Sequence, residues 1–311
     1  MTRVHRLIAT WVGRSSVADA ISPHQWAVLQ ALFVTALWSS SYVLITIGLE
    51  KIPALTFAGL RYAGATIVLL PMFVYYGHHR SIFACDRREL GALVLLGLLL
   101  YTVTQGAQFV ALQYITAATV SLLLSFTPAL VALLGIPLLG ERPSSRQWVW
   151  IGVLLLGVGI YFYPFGFRGV VLFGLAVMAL GLLANSLSSI VGRYVNHELS
   201  LSPLAVTTVS MGLGSAVLLA GGITVQGLPS LSVQAWLIVL WLAIVNTAFA
   251  FTLWNRTLQT LSATDSSVIN NTMLVQVALL GWVFLGESLS ALDIVGLGLV
   301  LVGAMAVQLT E

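Results

Sequence analysis

Charged residues are scarce in this sequence: only 7% of its 311 residues are Asp, Glu, Lys or Arg. A soluble domain carries about 25% charged residues, so this chain lacks the residues that a water-exposed surface needs. Hydrophobic residues make up 59% of the chain, and the mean hydropathy is +1.01. The composition therefore predicts a protein that is surrounded mostly by lipid.

Clusters of metal-ligating or acid–base residues are also lacking. The single cysteine, Cys85, excludes an internal disulfide and a cysteine-based metal site. No Asp, Glu, His or Lys lies deep in a hydrophobic segment, so we expect no cofactor, no metal, no enzymatic activity and no buried acid that exchanges protons for cationic drugs. The formal net charge is +3 without a basic patch, and nucleic acid is not an expected partner.

Long hydrophobic runs dominate what is present. Ten of them are long enough to cross a lipid bilayer as helices, which satisfy their own backbone groups in lipid. The predicted spans are residues 26–49, 55–76, 90–112, 117–139, 147–163, 169–192, 203–223, 235–258, 263–285 and 291–309. With the N-terminus inside, ten arginines lie on the cytoplasmic side and three cationic residues on the outer side. This bias predicts a multi-pass protein of the inner (plasma) membrane with both termini in the cytoplasm.

Part of the first half recurs in the second half at an offset of 146 residues. Residues 111–119 align without a gap with residues 257–265, and Leu139-Gly140-Glu141 aligns with Leu285-Gly286-Glu287. Because each half holds five helices, the second half must enter the membrane from the opposite face. Inverted repeats of this kind are typical of secondary transporters, whose substrate site lies near the midplane between the halves.

The sequence thus predicts an all-α, polytopic membrane protein of ten transmembrane helices arranged as two inverted five-helix repeats. A cytoplasmic tail of residues 1–25 precedes the first repeat, residues 26–163, and the second repeat is residues 164–311. The alternative is duplication of a purely structural unit. The oligomeric state does not follow from the sequence.

Several motifs can be compared with known families. They are Leu37 to Tyr42 in the first span, Gly59-Leu60-Arg61-Tyr62 in the second, and Ala111 to Thr119 followed by Pro128 and Leu139 to Arg142. Together they resemble the EamA branch of the ten-helix drug/metabolite transporter superfamily. The resemblance implies a central cavity lined by helices one, three, four, six, eight and nine, with helices five and ten peripheral. It also implies export, since characterised bacterial relatives export amino acids and similar metabolites.

Polar side chains inside the spans are the candidate substrate contacts, because a polar group in lipid is costly unless it faces a cavity or the bundle interior. The candidate substrate-binding residues are Trp38, Tyr42, Tyr101, Gln105, Gln108, Ser121, Ser125, Asn185, Asn246, Trp254 and Asn271. Tyr101, Gln105 and Gln108 share one face at helical spacing. The four amides at 105, 108, 246 and 271 are expected to face a cavity, since each has several donors and acceptors to satisfy. Serines equally allow close packing of helices, and the two tryptophans equally suit a lipid-facing position.

These residues predict a cavity without fixed charge, which suits a neutral or zwitterionic small molecule. Arg61 is expected to pair with Glu50 or to cap a helix, and selection of a carboxylate near the outer mouth is the alternative. Glycines 152, 157, 159, 296, 298 and 303 are expected to let helices five and ten approach closely, with dimerisation as the alternative.

The sequence therefore predicts an exporter of small metabolites, above all amino acids including aromatic ones, that works by alternating access. Without a buried acid it is expected to be facilitative, unless Asp265 or the substrate's own charge couples it to protons. The alternatives are an exporter of drugs or lipophilic amphiphiles and, from another class, a membrane enzyme or scaffold.

Overall fold

The computed structural model describes residues 22–139, 144–164, 169–199, 201–257, 260–261 and 269–309. This part of the chain is helical and contains no β-strand. The α-helices are α1 Pro23–Leu49, α2 Ala54–Tyr75, α3 His78–Phe83, α4 Arg87–Gly97, α5 Gln105–Ala111, α6 Ala117–Leu124, α7 Thr127–Leu139, α8 Ser145–Tyr161, α9 Gly169–Glu198, α10 Pro203–Gln226, α11 Val233–Ala243, α12 Ala250–Thr257, α13 Met273–Leu285 and α14 Ala291–Leu309. Two π-helices, Leu98–Thr104 and Ile244–Phe249, connect α4 to α5 and α11 to α12.

Seven helical segments of the described chain are long and apolar enough to cross a membrane. They are Pro23–Leu49, Ala54–Tyr75, Arg87–Ala111, Ala117–Leu138, Val171–Val195, Pro203–Gln226 and Val233–Trp254. The ninth and tenth predicted spans correspond to the shorter apolar helices Ile269–Leu285 and Ala291–Val307, and the fifth corresponds to α8. The chain is thus a polytopic helical membrane protein, while ten crossings and two inverted repeats stay predictions. The predicted tail before Ser22, and Asp265, lie outside the described residues.

Short polar side chains fix where the helices begin. Ser22 and Gln25 form a capping box at α1, and Ser144 and Gln147 form another at α8. In each box the serine hydroxyl accepts from the glutamine backbone N–H, and the glutamine amide oxygen accepts from the serine N–H. The first backbone donors of a helix have no partner within it, so these caps fix the start of each apolar run.

The fourth predicted span is broken in its middle, between α6 and α7. Pro128 has no backbone N–H, so the carbonyl of Leu124, four residues earlier, cannot receive its usual helical hydrogen bond. The Thr127 hydroxyl replaces that donor and lies 2.7 Å from the Leu124 carbonyl oxygen. The sequence predicted a bend at Pro128, and the structure has a turn at residues 125–126, just before it.

The two π-helices occupy matching places in the chain. They begin at Leu98 and Ile244, which are separated by the offset of 146 residues that relates the two halves. In each, a threonine hydroxyl donates to a carbonyl five residues earlier: Thr104 to Leu99 and Thr247 to Leu242, both at 2.8 Å. A π-turn inside an α-helix often marks a functional site, because it redirects the side chains that follow it.

Helices α8 and α14 meet backbone to backbone through glycines. A Cβ atom on Gly157 would lie 2.8 Å from the backbone nitrogen of Val300, and one on Gly303 would lie 2.8 Å from that of Leu154. Gly296 makes an equally close approach to Gly157. The other three glycines predicted for this contact, at positions 152, 159 and 298, have no neighbour within 4 Å of such a Cβ. Half of the predicted set therefore packs the two helices together.

Candidate functional site

A cavity of about 710 Å³ lies between the helices. Its wall combines amides, hydroxyls, aromatic rings and one cation with aliphatic side chains. The lining residues are Trp38, Ser41, Tyr42, Arg61, Tyr62, Gln105, Gln108, Ser121, Leu124, Ser125, Thr127, Pro128, Val131, Asn185, Ser189, Phe251, Asn270, Asn271, Met273, Leu274 and Leu309. The first, third, fourth, sixth, eighth and ninth predicted spans all contribute, and the second and tenth add Arg61, Tyr62 and Leu309.

The cavity reaches one end of the bundle and stops short of the other. Leu309, the last residue of α14, lines the cavity and is 55% exposed. We therefore call the end of the bundle at Leu309 the open end. At the opposite end, which we call the closed end, α5 finishes at Ala111 and α6 begins at Ala117. The lining residues closest to the closed end are Gln108 and Ser121, each about one turn inside its helix.

The closed end is held by hydrogen bonds between distant parts of the chain. The Glu287 carboxylate accepts from the backbone N–H of Ala117 at 2.7 Å. The Thr119 hydroxyl lies 2.8 Å from that of Thr116 and 3.0 Å from that of Tyr161. These contacts join the turn after α13 to the first turn of α6 and to the end of α8, and they border a separate depression of about 520 Å³.

Eight of the eleven predicted site residues line the cavity. They are Trp38, Tyr42, Gln105, Gln108, Ser121, Ser125, Asn185 and Asn271. The amide of Asn185 donates to the Thr127 hydroxyl at 2.9 Å, whereas Gln108 makes no side-chain hydrogen bond with the described residues although it is 7% exposed. Gln108 therefore has its donors and acceptors available to a ligand.

The other three predicted residues lie behind the cavity wall. Asn246 is fully buried, and its amide donates to the Leu37 carbonyl and to the hydroxyls of Ser40 and Ser41. The Tyr101 ring is 5.6 Å from that of Tyr62, and the Trp254 rings are 5.2 Å from those of Trp38. Direct contact of these three residues with a substrate stays a prediction, since they support lining residues in this structure.

Arg61 corrects one prediction from the sequence. It does not pair with Glu50, which is exposed at the end of α1, and it lies well inside α2 rather than at a helix end. It is 4% exposed, and no carboxylate of the described residues forms an ion pair with it. The preferred interpretation, pairing or capping, is therefore wrong, and so is the expectation of a cavity without fixed charge.

Neutral groups hold the Arg61 guanidinium in place. Its Nε donates to the Thr247 hydroxyl at 2.9 Å, and one terminal nitrogen, Nη2, donates to the Ser41 hydroxyl at 3.4 Å. The guanidinium carbon lies 5.1 Å from the centre of the Tyr62 ring. Burying a cation without a counter-ion is expensive, and two hydroxyls and a ring face offset only part of that cost. The remaining nitrogen, Nη1, has no acceptor among the described residues.

Tyr62 connects this cation to a second donor. Its hydroxyl donates to the Gln105 amide oxygen at 2.6 Å. The bond orients Gln105 so that its NH₂ group, which has no acceptor among the described residues, is available to the cavity. The cavity wall thus presents two sets of N–H donors on either side of one aromatic ring.

Arg61 and Tyr62 are the main lining residues that the sequence-based set omitted. Both residues belong to the motif Gly59-Leu60-Arg61-Tyr62, which the sequence analysis had noted. The position of Arg61 in the second span suggested that it lies at the helix end and not in the cavity wall. Asn270 and Phe251 were also omitted, and nothing in their spacing separated them from ordinary packing residues.

Comparisons with known proteins agree with this architecture. YedA of Escherichia coli (strain K12), an uncharacterised inner membrane transporter, is 28% identical over 289 residues, which cover 91% of this chain and 90% of YedA. An S-adenosylmethionine/S-adenosylhomocysteine transporter of Chlamydia muridarum is 26% identical over 83% of this chain and 84% of its own length. A solved crystal structure with 20% identity superposes with a TM-score of 0.64 over 91% of this chain and 97% of the other, so the two share a fold.

The sequence model of one family matches this chain twice, at residues 25–163 and again at residues 172–309. The two matches together take in every helix that contributes to the cavity. The matched segments meet at the cavity and at the closed end, where Glu287 contacts Ala117. The chain belongs to the EamA-like transporter family.

Proposed function

We propose that the protein is an inner-membrane exporter of small metabolites, above all amino acids including aromatic ones. The observation that carries the proposal is the cavity of about 710 Å³ with its amides, hydroxyls and aromatic rings. A cavity of this size suits a small solute, with rings packing on its apolar body and a few polar groups fixing its orientation. The similarity to YedA, an inner membrane transporter, supports the location.

Alternating access is the mechanism that this arrangement favours. The two family matches and the two π-helices at the 146-residue offset support two five-helix repeats, which an odd helix count makes inverted. With both termini in the cytoplasm, as the arginine distribution predicts, the open end faces the cytoplasm. The solute then enters from inside the cell, and release requires the contacts around Glu287 to open.

Two observations support amino acids as the substrate class: the substrates of the Chlamydia relative and the charge of the cavity lining in this protein. S-adenosylmethionine and S-adenosylhomocysteine, named for the Chlamydia relative, both carry an amino-acid portion. Arg61 is the only charged residue that lines the cavity among the described residues, which disfavours lipophilic cations as substrates. An amino acid offers a carboxylate for the donors and an apolar side chain for the rings.

Transport in proteoliposomes tests this function. The purified protein should exchange labelled phenylalanine across the membrane, and an imposed pH gradient should leave the flux unchanged if transport is facilitative. Gln105→Ala and Asn271→Ala should each lower the flux at normal expression, while Leu237→Ala, at an exposed position outside the cavity, should not. Absence of amino-acid flux in the unmodified protein would contradict the function, and full flux in both cavity variants would contradict the site.

A further inference from the structure

The deep part of the cavity carries a positive charge that nothing in the described chain neutralises. Arg61 lies seven residues from the start of α2, about 10 Å from the closed end. It is 96% buried, since its exposed fraction is 4%. An arginine keeps its charge inside proteins, so Arg61 gives the described cavity lining a net charge of about +1.

The groups around this cation are donors or neutral acceptors already in use. Thr247 and Ser41 accept from the guanidinium, and the Thr247 hydroxyl is itself committed to the Leu242 carbonyl. The NH₂ group of Gln105 adds a second donor beyond the Tyr62 ring. A site made of N–H donors with no acidic partner matches a group that only accepts hydrogen bonds, such as a carboxylate.

We propose that Arg61 is the specificity-determining residue of the transporter and that its preferred substrates are carboxylates with a net negative charge and an apolar body. This inference rests on the proposed function and, among the small metabolites that it covers, ranks anionic carboxylates above zwitterionic amino acids. Nη1 of Arg61 and the Gln105 amide bind the carboxylate, and the rings of Trp38, Tyr42 and Phe251 contact the apolar body. A monoanion neutralises the buried charge, whereas a zwitterion brings an ammonium group for which the described lining offers only hydroxyls and amides.

The proposal is tested by comparing the affinities of solutes that share one carbon skeleton and differ in charge. The probes are 3-phenylpropionate, phenylalanine and phenethylamine, an anion, a zwitterion and a cation, with binding to the purified, reconstituted protein measured by equilibrium competition at pH 7. The expected order of affinity is anion above zwitterion and both above cation, with at least about a 100-fold gap between anion and cation because a charge-assisted pair is gained in one case and a repulsion in the other. Equal affinity for 3-phenylpropionate and phenethylamine would overturn the proposal without any variant.

Arg61→Gln then assigns the effect to one residue. We expect it to bind 3-phenylpropionate at least about tenfold more weakly while its affinity for phenethylamine stays level or rises. Thr247→Val removes the acceptor of Nε but keeps the charge, so it should retain the ranking. If Arg61→Gln does not fold, Arg61→Lys keeps the charge and should keep the ranking with weaker binding. Unchanged 3-phenylpropionate binding in a folded Arg61→Gln would overturn the assignment.

The outcomes separate this inference from the proposed function. Phenylalanine flux without any preference for the anion leaves the exporter function standing and removes the role of Arg61. Flux of 3-phenylpropionate without any flux of amino acids keeps the anion site and removes amino acids from the proposed function. Absence of flux and binding for all three probes contradicts both.

Discussion

The Glu287 carboxylate caps the first turn of α6, with Oε1 2.7 Å from the backbone nitrogen of Ala117 and Oε2 3.4 Å from that of Ala118. Gly286 makes the contact possible, because its left-handed backbone (φ 66°) ends α13 and turns the chain back. A carboxylate at a helix N-terminus satisfies unpaired N–H groups and interacts favourably with the helix dipole. One charged side chain therefore links the turn after α13 to the first turn of α6 at the closed end.

Loss of that carboxylate should loosen the closed end. We expect Glu287→Ala, in a Cys85→Ser background carrying Ser125→Cys as reporter, to increase labelling of the reporter from outside the cell by a membrane-impermeant thiol reagent. Asp293→Asn is the matched control, because among the described residues Asp293 forms side-chain hydrogen bonds only with Ser290 in the same turn. Equal labelling of the Glu287→Ala and Asp293→Asn proteins would rule out the role of Glu287 in closure.

Cys85, the only cysteine, should report the orientation of the chain and respond to pH. Its partial burial and the nearby carboxylates of Glu89 and Asp86 raise the pKa of its thiol. Thiolate is then scarce at pH 7, so labelling by an impermeant maleimide should accelerate about tenfold per pH unit until the pKa is passed. Glu89→Gln lowers that pKa and should speed labelling at pH 7, while Glu50→Gln should not. Labelling of intact cells from outside would contradict the predicted orientation.

Substitution of glycines on the two faces of α8 should affect stability differently. Gly157→Leu places a side chain against the backbone of α14, where a Cβ already lies 2.8 Å from Leu299 and Val300. Overpacking of this kind costs about 1–3 kcal/mol, so the melting temperature in detergent should fall. Gly152→Leu, which meets no atom within 4 Å, should leave it unchanged. Equal melting temperatures for the two variants would show that the close contact is not limiting for stability.

Two amides predicted for the same role should behave differently. Asn246→Leu removes hydrogen bonds to Leu37, Ser40 and Ser41, so it should lower stability by about 1–3 kcal/mol without changing the ranking of solutes. Gln108→Leu breaks no hydrogen bond within the described chain and should keep stability while lowering flux. Thermal unfolding and transport measured on both variants check this, and a stable Asn246→Leu protein would contradict the structural role.

Stability and transport should depend on the hydroxyl group of Thr127 more than on the shape of its side chain. Thr127→Val leaves the Leu124 carbonyl and the Asn185 amide without their partners, at a cost of about 1–3 kcal/mol. Thr127→Ser keeps the hydroxyl and should restore both stability and flux. The comparison requires equal expression of the two variants, and a fully active Thr127→Val protein would show that the break in the fourth span tolerates a bare carbonyl.

Composition and hydropathy alone predicted the helical membrane fold, because lipid permits few other solutions for a chain with 7% charged residues. Tyr101 shows that regular helical spacing is not sufficient to predict which side chains line the cavity. It was grouped with Gln105 and Gln108 on the assumption of 3.6 residues per turn, but the π-helix Leu98–Thr104 intervenes and changes the phase. The two glutamines reach the cavity, and Tyr101 packs on Tyr62 instead.

Arg61 shows a second limit of the same kind. Its place near a helix end suggested a surface partner, since a buried cation is normally excluded on energetic grounds. The acceptors that hold it come from α1 and from the π-helix of a distant segment, Ser41 and Thr247, and no local pattern connects these three positions. Sequence separation therefore hid the contacts that hold a buried cation in the cavity wall.

The glycine contact between α8 and α14 has a mechanical consequence. One helix belongs to each of the two segments that the family model matches, and their backbones touch along Gly157, Gly296 and Gly303. Because no side-chain layer lies between the backbones at these glycines, we expect the two segments to tilt about this contact more easily than they separate along it. In the proposed transport cycle this contact between α8 and α14 is the pivot. The displacement of a helix during the cycle then increases with its distance from the contact.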